Sequence, residues 1–414
     1  MSAQQTFVIV GAGLAGAKAA EALRANGFEG KVLLIGDEAE PPYDRPLLSK
    51  AYLLGSTERE NVYVHPAQWY SDQDIELRLG ARVTNIDRPA HTVSTAQGPP
   101  LGYDKLLLAT GSSPRRLKIP GADLAGVHYL RTLGDSDALQ SALARAERVA
   151  IIGAGWIGLE TAAAARAAGT QVTLLERDEL PLLAVMGEQV AQTYAALHRA
   201  HEVDLRPNSV VAEILGDRGT VSGVRLAGGE VVAADAVVVG VGITPNTELA
   251  AAAGLPIDNG VIVDEHLATA DPDIFAAGDV AASYYPLLDL HLRLEHWSAA
   301  LNQGPIAAAN MMGNCTPYDR VPYFFSDQYD CGMEYCGYVG QDGFDAVIFR
   351  GDVASCQFIA FWVRDGRVLA GMNVNIWGVT DAIETLVRSG ARVDPGKLAD
   401  PAVSLITLAD SVTH

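Results

Sequence analysis

The chain has 414 residues, more than one core usually serves, since single domains run to about 100–200 residues. Against 30 Lys and Arg it carries 50 Asp and Glu, a net charge of −20. A surface this acidic repels phosphate backbones and anionic lipids, which argues against nucleic acid and membrane partners. No basic segment with a cleavable apolar stretch opens the chain, and the apolar run 149–165 is interrupted by glycines and Glu160. We therefore expect a cytoplasmic protein.

The first motif of the chain is a short strand followed by closely spaced glycines. The apolar run Thr6–Val10 predicts the strand, Gly-Ala-Gly-Leu-Ala-Gly follows at residues 11–16, and an alanine-rich helix then extends to about Gly27. A second apolar run, Val32–Ile35, ends just before Asp37. These segments predict a βαβ unit with parallel strands.

The same order recurs in the middle of the chain. Strand Arg148–Ile152 is followed by Gly-Ala-Gly-Trp-Ile-Gly at 153–158, a helix to about Gly169, strand Val172–Leu175 and then Glu176. One copy alone is weak, because a packing turn can carry the same glycines. Two complete copies indicate two dinucleotide sites, in which the glycines admit a pyrophosphate to a helix N-terminus and the acid accepts hydrogen bonds from a ribose.

The segments outside the two motifs predict the remaining architecture. Antiparallel strands are expected at 82–87 with 91–95 and at 221–226 with 230–233, and buried strands at 105–108 and 236–239. Aromatic residues cluster from about Pro317. We predict an α/β fold with two Rossmann-like (three-layer ββα) dinucleotide-binding domains and a C-terminal α+β domain. The predicted bounds are 1–112 with 244–318 for the domain that carries the first motif, 113–243 for the domain that carries the second, and 319–414 for the C-terminal domain.

A third element assigns the two sites. The stretch Thr269–Asp279 predicts a strand that ends in Gly278-Asp279, where Asp279 can bind the ribityl chain of a flavin, a group that nicotinamide dinucleotides lack. The first motif is therefore expected to hold FAD and the second NADH. NADPH is less favoured, because Glu176 would repel a 2′-phosphate, although Arg177 beside it could attract one.

Further motifs resemble a known family. The stretch Pro42–Lys50 reads Pro-Tyr-Asp-Arg-Pro-Leu-Leu-Ser-Lys, and Glu295-His296-Trp297, Gln303-Gly304 and the stretch Val321–Gln328 follow later. Together with the two glycine motifs they resemble the NADH-dependent ferredoxin reductases of oxygenase and haem-thiolate monooxygenase systems, in the flavoprotein disulfide reductase superfamily. The chain departs from that pattern at Leu47, where the family usually has proline, and at Phe325, where it commonly has tryptophan.

The resemblance implies the site residues. Lys50 is expected beside flavin N5 with Glu160 as its partner, since a carboxylate in an apolar helix needs a nearby cation. Arg45 is expected to contact FAD, and Trp297 and Phe325 to lie by the flavin ring. The expected FAD-binding residues are Gly11, Gly13, Leu14, Ala15, Gly16, Asp37, Arg45, Lys50, Arg82, Val83, Ala109, Thr110, Gly111, Gly278, Asp279, Glu295, His296, Trp297 and Phe325. The expected NAD-binding residues are Gly153, Gly155, Trp156, Ile157, Gly158, Glu160, Glu176 and Gly242. No metal ligands are expected.

Cysteine positions favour ferredoxin over a disulfide substrate. The disulfide reductases of this superfamily use a cysteine pair beside the flavin. Here the four cysteines, Cys315, Cys331, Cys336 and Cys356, all come after the stretch Pro42–Lys50, so no dithiol is expected there. The expected acceptor is a small acidic iron–sulfur ferredoxin, which would dock on a local basic patch with Arg293, Arg388, Arg392 and Lys397 as candidates. Two alternatives stay open: an NADH oxidoreductase that reduces rubredoxin, quinone or oxygen, and a signalling flavoprotein like apoptosis-inducing factor. The sequence does not indicate an oligomeric state.

Overall fold

A computed structural model describes residues 5–340 and 343–412. The chain divides into two compact units. Unit 1 runs up to Asp44 and includes Arg59–Ser113 and Thr244–Pro322. Unit 2 comprises Arg45–Glu58, Pro114–Ile243 and the chain from Tyr323 onward.

Unit 1 is built on a five-stranded sheet in which every pairing is parallel. Its central strand is buried from Phe7 to Val10, the continuous apolar pattern of a strand covered on both faces. The order across the sheet is Ile274–Ala276, Lys105–Leu108, Thr6–Val10, Lys31–Ile35 and Ile75–Arg78. The main helices are Leu14–Ala25 and Trp297–Met311, with shorter helices Ala67–Asp72 and Glu248–Ala252.

Two small sheets complete unit 1. One is antiparallel and contains Val83–Asp87, Thr92–Thr95 and Leu101–Gly102, as the alternating sequence pattern predicts. The other contains Val261–Val263, Ala281–Tyr285 and Leu290–Leu292. Short 3-10 helices lie at Arg59–Val62 and Gly278–Val280.

Unit 2 contains a second parallel sheet of five strands. Its order is Asp204–Arg206, Gln171–Leu175, Arg148–Ile152, Ala236–Val239 and Val127–His128. The associated helices are Leu133–Leu143, Trp156–Ala167, Leu183–Met186 and Glu188–Ala200, and Arg45–Ser49 forms a 3-10 helix. An antiparallel sheet contains Val211–Asp217, Thr220–Leu226 and Val231–Ala233.

The C-terminal part of unit 2 is a five-stranded antiparallel sheet. Its order is Tyr323–Gln328, Cys331–Gly337, Arg367–Val374, Gln357–Arg364 and Ala346–Asp352. The helices Thr380–Ser389, Pro395–Ala399 and Leu405–Asp410 follow it, and Trp362 is fully buried. Strands Ser112–Pro114 and Ile243–Pro245 contain two of the five positions where the chain passes between the units.

The predicted fold class is confirmed: two parallel α/β sheets and a C-terminal α+β part are present. Within 5–340 and 343–412, no helix is both long and apolar enough to cross a membrane. The same residues contain no cluster of three His, Cys, Asp or Glu side chains that could hold a metal ion.

Candidate functional site

The first glycine motif forms an open turn in unit 1, here called the first cradle (residues 11–16). Gly11 has φ +115°, and a Cβ there would lie 2.0 Å from the Ala109 oxygen. A Cβ at Gly16 would lie 2.1 Å from the Gly11 oxygen, so the helix packs directly on the turn. At Gly13, the N-cap of helix Leu14–Ala25, a Cβ would meet nothing within 4 Å. Backbone N–H groups at a helix N-terminus thus border open space, which fits a pyrophosphate.

The other predicted unit 1 segments follow the carboxyl ends of neighbouring parallel strands. Asp37 follows Lys31–Ile35, Ala109-Thr110-Gly111 follows Lys105–Leu108, and Gly278 follows Ile274–Ala276. Carboxyl ends of parallel strands share one edge of a sheet, which is where ligands of such folds bind. The sheet therefore brings these segments to the edge that carries the first cradle.

Polar contacts fix the segments at this edge. Ser112 Oγ donates to Asp279 Oδ2 at 2.6 Å, and the Gly278 N–H donates to Gln303 Oε1 at 2.8 Å. Asn246 Nδ2 donates to the Thr110 oxygen at 2.8 Å, while Thr110 Oγ1 donates to the Asn246 oxygen at 2.9 Å. These contacts hold the acid predicted for the ribityl chain and the loop after Lys105–Leu108.

The Glu295-His296-Trp297 motif of unit 1 leads into helix Trp297–Met311, with His296 as the N-cap. Trp297 Nε1 donates to Asp44 Oδ1 at 2.9 Å, which joins this motif to the stretch Pro42–Lys50. Desolvation lowers the pKa of His296 to about 4, against a smaller opposing effect of Asp279. The imidazole is therefore neutral near pH 7.

Three other residues predicted to bind FAD, Glu295, Arg82 and Val83, also lie in unit 1. Glu295 Oε1 pairs with Arg293 Nη2 at 2.6 Å. Arg82 and Val83 lie at the start of strand Val83–Asp87. The Ala81 N–H donates to the Gly36 oxygen at 2.8 Å, so this segment lies next to Asp37.

The second glycine motif repeats the first one in unit 2 and is here called the second cradle (residues 153–158). Gly153 has φ +97°, and a Cβ there would lie 2.5 Å from the Gly240 oxygen. A Cβ at Gly158 would lie 2.0 Å from the Gly153 oxygen, whereas one at Gly155 would meet nothing within 4 Å. Gly155 is the N-cap of helix Trp156–Ala167. The second cradle therefore fits a second pyrophosphate on the same grounds.

Glu176 lies against the second cradle. Its Oε2 accepts from the Ala154 N–H at 2.5 Å and its Oε1 from the Asp178 N–H at 2.9 Å. Arg177 is 80% exposed, and its Nε lies 3.4 Å from Asp178 Oδ1. The carboxylate, and not the neighbouring guanidinium, therefore lies at the turn.

Other residues predicted for nucleotide binding lie around this turn. Trp156 packs edge-on against Tyr194 and Phe324 at centroid distances of 5.4 and 5.3 Å, so its ring belongs to the core, whereas Ile157 is 42% exposed. Gly242 follows strand Ala236–Val239, and its oxygen accepts from the Arg115 N–H at 2.9 Å.

A buried ion pair lies four residues beyond the start of Trp156–Ala167. Lys50 Nζ is 2.7 Å from Glu160 Oε1, and the side chains are 14% and 3% exposed. Ser326 Oγ donates to the same Oε1 at 2.6 Å, and Ser49 Oγ donates to Oε2 at 2.5 Å. Three donors therefore converge on one carboxylate, which compensates for its burial. Neither serine was predicted as a site residue, although both lie in the motifs that carry the family resemblance.

The structure also shows the surroundings of Phe325, Arg45 and Asp327. Lys50 Nζ lies 5.4 Å from the centroid of the Phe325 ring. Arg45 Nη1 donates to the Arg131 oxygen. Burial raises the pKa of Asp327, with Lys50 opposing the shift and Glu160 adding to it.

Cys331 and Cys336, which lie close together in the sequence, do not form a redox pair. Cys331 and Cys336 lie on one strand five positions apart, so their side chains point to opposite faces of the sheet. Burial raises the pKa of each thiol to about 12, which keeps both protonated and weakly nucleophilic. All four cysteines are free thiols.

The docking residues predicted from charge are only partly suited to that role. The Arg293 side chain is 6% exposed and pairs with Glu295, so its proposal as a docking residue was wrong. Arg388 Nε pairs with Glu384 Oε1 at 2.8 Å.

Comparisons with known proteins agree with this geometry. Residues 5–304 match the family described as "Pyridine nucleotide-disulphide oxidoreductase", and residues 323–409 match "Reductase C-terminal". The chain is 43% identical over 402 residues to the ferredoxin–NAD(+) reductase component of the anthranilate 1,2-dioxygenase system of Burkholderia cepacia, covering 97% of this chain and 98% of that protein.

Two solved structures are similar throughout. The ferredoxin reductase for the CYP199A2 system from Rhodopseudomonas palustris has a TM-score of 0.94 at 37% identity, with 98% of this chain and all of that chain covered. The reductase of the covalent putidaredoxin reductase–putidaredoxin complex has a TM-score of 0.95 at 37% identity, with both chains fully covered.

Proposed function

Because the chain belongs to the pyridine nucleotide-disulphide oxidoreductase family, we propose that it is an FAD-dependent NADH:ferredoxin oxidoreductase that supplies electrons to an oxygenase or a haem-thiolate monooxygenase. The family matches confirm the resemblance that was inferred from the sequence motifs. The observation that carries the proposal is the duplicated cradle, one in each unit, with the same close contacts and the same open glycine. Two cradles in one chain suit an enzyme that binds two dinucleotides.

We assign FAD to unit 1. The first cradle would hold its pyrophosphate, Asp37 its ribose, and Asp279, held by Ser112, its ribityl hydroxyls. When bound, a flavin would couple the oxidation of NADH by hydride transfer, a two-electron step, to the release of single electrons. The Trp297–Asp44 hydrogen bond holds the adjoining Glu295-His296-Trp297 motif in a fixed position.

We assign NADH to unit 2. Glu176 supports this choice, because its carboxylate lies at the second cradle, where it would accept from a free 2′-hydroxyl and repel a 2′-phosphate. Arg177 extends into solvent and pairs with Asp178, so it gives a 2′-phosphate little compensation.

Lys50 and Glu160 form the proposed reaction centre. Lys50 would supply a fixed positive charge beside flavin N5, the atom that accepts the hydride, and this charge would stabilise the negative charge that the ring gains on reduction. Glu160 would hold that ammonium in place. Burial of both groups excludes water and strengthens their electrostatic effect.

Ferredoxin is the proposed acceptor for two reasons. The relatives named above are reductases of ferredoxin-dependent systems. The chain itself has no cysteine before Cys315, so segment Arg45–Glu58 carries no dithiol to relay electrons to a disulfide substrate. Electrons would therefore pass from the flavin to the acceptor directly.

Anaerobic reduction of the purified flavoprotein tests the proposal. NADH should bleach the flavin absorbance much faster than NADPH, and an added [2Fe–2S] ferredoxin should restore it. Bleaching without reoxidation by any ferredoxin would exclude the proposed acceptor but leave the cofactors. A protein that cannot be loaded with FAD would contradict the assignment of the first cradle.

A further inference from the structure

A chain of buried hydrogen bonds leads from the Glu160 carboxylate into the core of unit 2. Gln328 Nε2 donates to Ser326 Oγ at 3.2 Å, and Gln328 Oε1 is 2.8 Å from His198 Nε2. His198 Nδ1 lies 3.2 Å from the hydroxyl of Tyr329. Ser326, Gln328 and His198 are 2%, 1% and 0% exposed, so water does not substitute for these partners.

Strand geometry explains why these side chains meet. Phe324, Ser326 and Gln328 alternate along strand Tyr323–Gln328 and therefore share one face. Phe324 packs on Trp156, Ser326 bonds to Glu160, and Gln328 bonds to His198. The C-terminal sheet thus reaches helices Trp156–Ala167 and Glu188–Ala200 with one row of side chains.

The direction of every hydrogen bond follows from the carboxylate end. Glu160 Oε1 accepts from the Lys50 ammonium, and the Ser326 hydroxyl donates to the same oxygen. Ser326 Oγ must then accept from the amide nitrogen of Gln328, which leaves Gln328 Oε1 facing His198. His198 Nε2 must carry the hydrogen, and its Nδ1 accepts from Tyr329.

We propose that His198 and Gln328 are positioning residues for the Lys50–Glu160 pair: they fix Ser326 as a hydrogen-bond donor and thereby fix the carboxylate that holds the Lys50 ammonium. Hydrogen bonds that all run in one direction polarise one another, so removal of a remote member weakens the last bond in the chain. This inference rests on the proposed function, because it assigns the network to the step in which NADH reduces the bound flavin.

Three variants of the holoenzyme test the positioning role. Gln328→Met keeps length without polar atoms, His198→Leu removes the donor, and His198→Gln retains an N–H near the position of Nε2. Stopped-flow reduction by NADH should slow about tenfold in Gln328→Met and His198→Leu, at an unchanged dissociation constant for NADH. His198→Gln should recover most of the rate.

The matched control is Tyr194→Phe. The Tyr194 hydroxyl is buried in the same core and has no hydrogen-bond partner within residues 5–340 and 343–412, so its removal should leave the reduction rate unchanged. Rates equal to wild type in Gln328→Met and His198→Leu, or a loss shared by His198→Gln, would overturn the proposal.

Nitrogen NMR of histidine-labelled holoenzyme supplies a readout that does not depend on turnover. His198 is one of nine histidines, and its signals are assigned by their absence in His198→Gln. We expect the neutral tautomer with hydrogen on Nε2; the opposite tautomer would reverse the bond directions and refute the inference. A wild-type protein whose flavin NADH does not reduce would instead refute the proposed function, whatever the tautomer.

Discussion

Lys50 Nζ lies 2.7 Å from Glu160 Oε1, in a pair whose side chains are 14% and 3% exposed. The two residues come from different segments of unit 2: Lys50 directly follows the 3-10 helix Arg45–Ser49, and Glu160 lies in the helix Trp156–Ala167. Buried pairs of this kind contribute little net stability, but loss of one partner leaves an uncompensated charge. Stability and catalysis can therefore be separated by experiment.

Lys50→Met should slow flavin reduction by NADH by about a hundredfold, because the positive charge at the proposed reaction centre is lost. It should also lower the free energy of unfolding by about 3 kcal/mol, since Glu160 stays buried and, among the described residues, keeps Ser49 and Ser326 as its donors. The double variant Lys50→Met/Glu160→Gln should regain stability without regaining the rate. Stopped-flow reduction and urea unfolding measure the two effects.

An exposed ion pair provides the control. Lys31 Nζ lies 2.8 Å from Glu76 Oε2, with side chains 49% and 38% exposed. Lys31→Gln should change the unfolding free energy by less than about 1 kcal/mol and leave flavin reduction unaffected. If Lys50→Met reduces its flavin at the wild-type rate, Lys50 has no part in the reaction.

The elements predicted well from sequence are those set by local patterns. Both cradles follow from short runs in which strand, glycine spacing and helix agree, and the Cβ contacts at Gly11 and Gly153 give the physical reason for those glycines. The parallel strands follow from continuous apolar runs such as Thr6–Val10. A partner for Glu160 could also be expected, because a carboxylate in an apolar helix requires one.

The surroundings of that carboxylate could not be predicted in the same way. Ser326 lies 166 positions from Glu160 along the chain, and His198 lies 130 positions from Gln328. Such contacts arise only when the C-terminal sheet packs on the helices of unit 2, and neither a serine nor a glutamine has a local signature for this role. The same limit applies to Arg293, whose burial beside Glu295 no charge pattern reveals.

Glu176→Ala should change the choice of nucleotide. The carboxylate lies at the second cradle through its bond to the Ala154 N–H, so its loss removes both the acceptor for a ribose hydroxyl and the charge that repels a phosphate. We expect kcat/KM for NADH to fall about tenfold to a hundredfold and that for NADPH to fall much less or to rise. Steady-state assays with both nucleotides measure the ratio.

Arg177→Ala is the control for this substitution, because within the described residues the exposed guanidinium forms an ion pair with Asp178 alone. The preference for NADH should survive it. Equal losses with both nucleotides in Glu176→Ala would show that the residue supports the turn without selecting the ribose.

Stability should fall with acid in a way that depends on His198. Burial lowers the pKa of this imidazole to about 4, with Gln328 opposing the shift and His201 adding to it. In the unfolded chain the pKa of this imidazole is near 6.5, so on acidification the unfolded chain binds a proton before the native state does. The stability contributed by neutral His198 is therefore fully present above about pH 6.5 and is lost as the pH falls toward 4. Between pH 7 and pH 5 the native state should lose about 2 kcal/mol through this group.

The contribution of His198 is isolated by the His198→Gln variant, whose side chain does not titrate. Urea unfolding of both proteins at pH 7 and pH 5 gives the two differences, and the wild type should lose about 2 kcal/mol more than the variant. Parallel losses would mean that other groups, such as His296, account for the acid sensitivity.

The two open glycines allow the cofactor assignment to be tested site by site. Gly13 has φ −92° and Gly155 has φ −77°, and a Cβ at either position meets nothing within 4 Å, so alanine should be accommodated without strain. The added methyl groups would instead occupy the space that a pyrophosphate needs. Gly13→Ala should therefore weaken FAD binding by about tenfold to a hundredfold, whereas Gly155→Ala should keep its FAD and raise the KM for NADH by a similar factor. Flavin content from absorbance and the KM for NADH distinguish them, with circular dichroism as the check on folding. The opposite pattern, with FAD lost from Gly155→Ala, would exchange the two assignments.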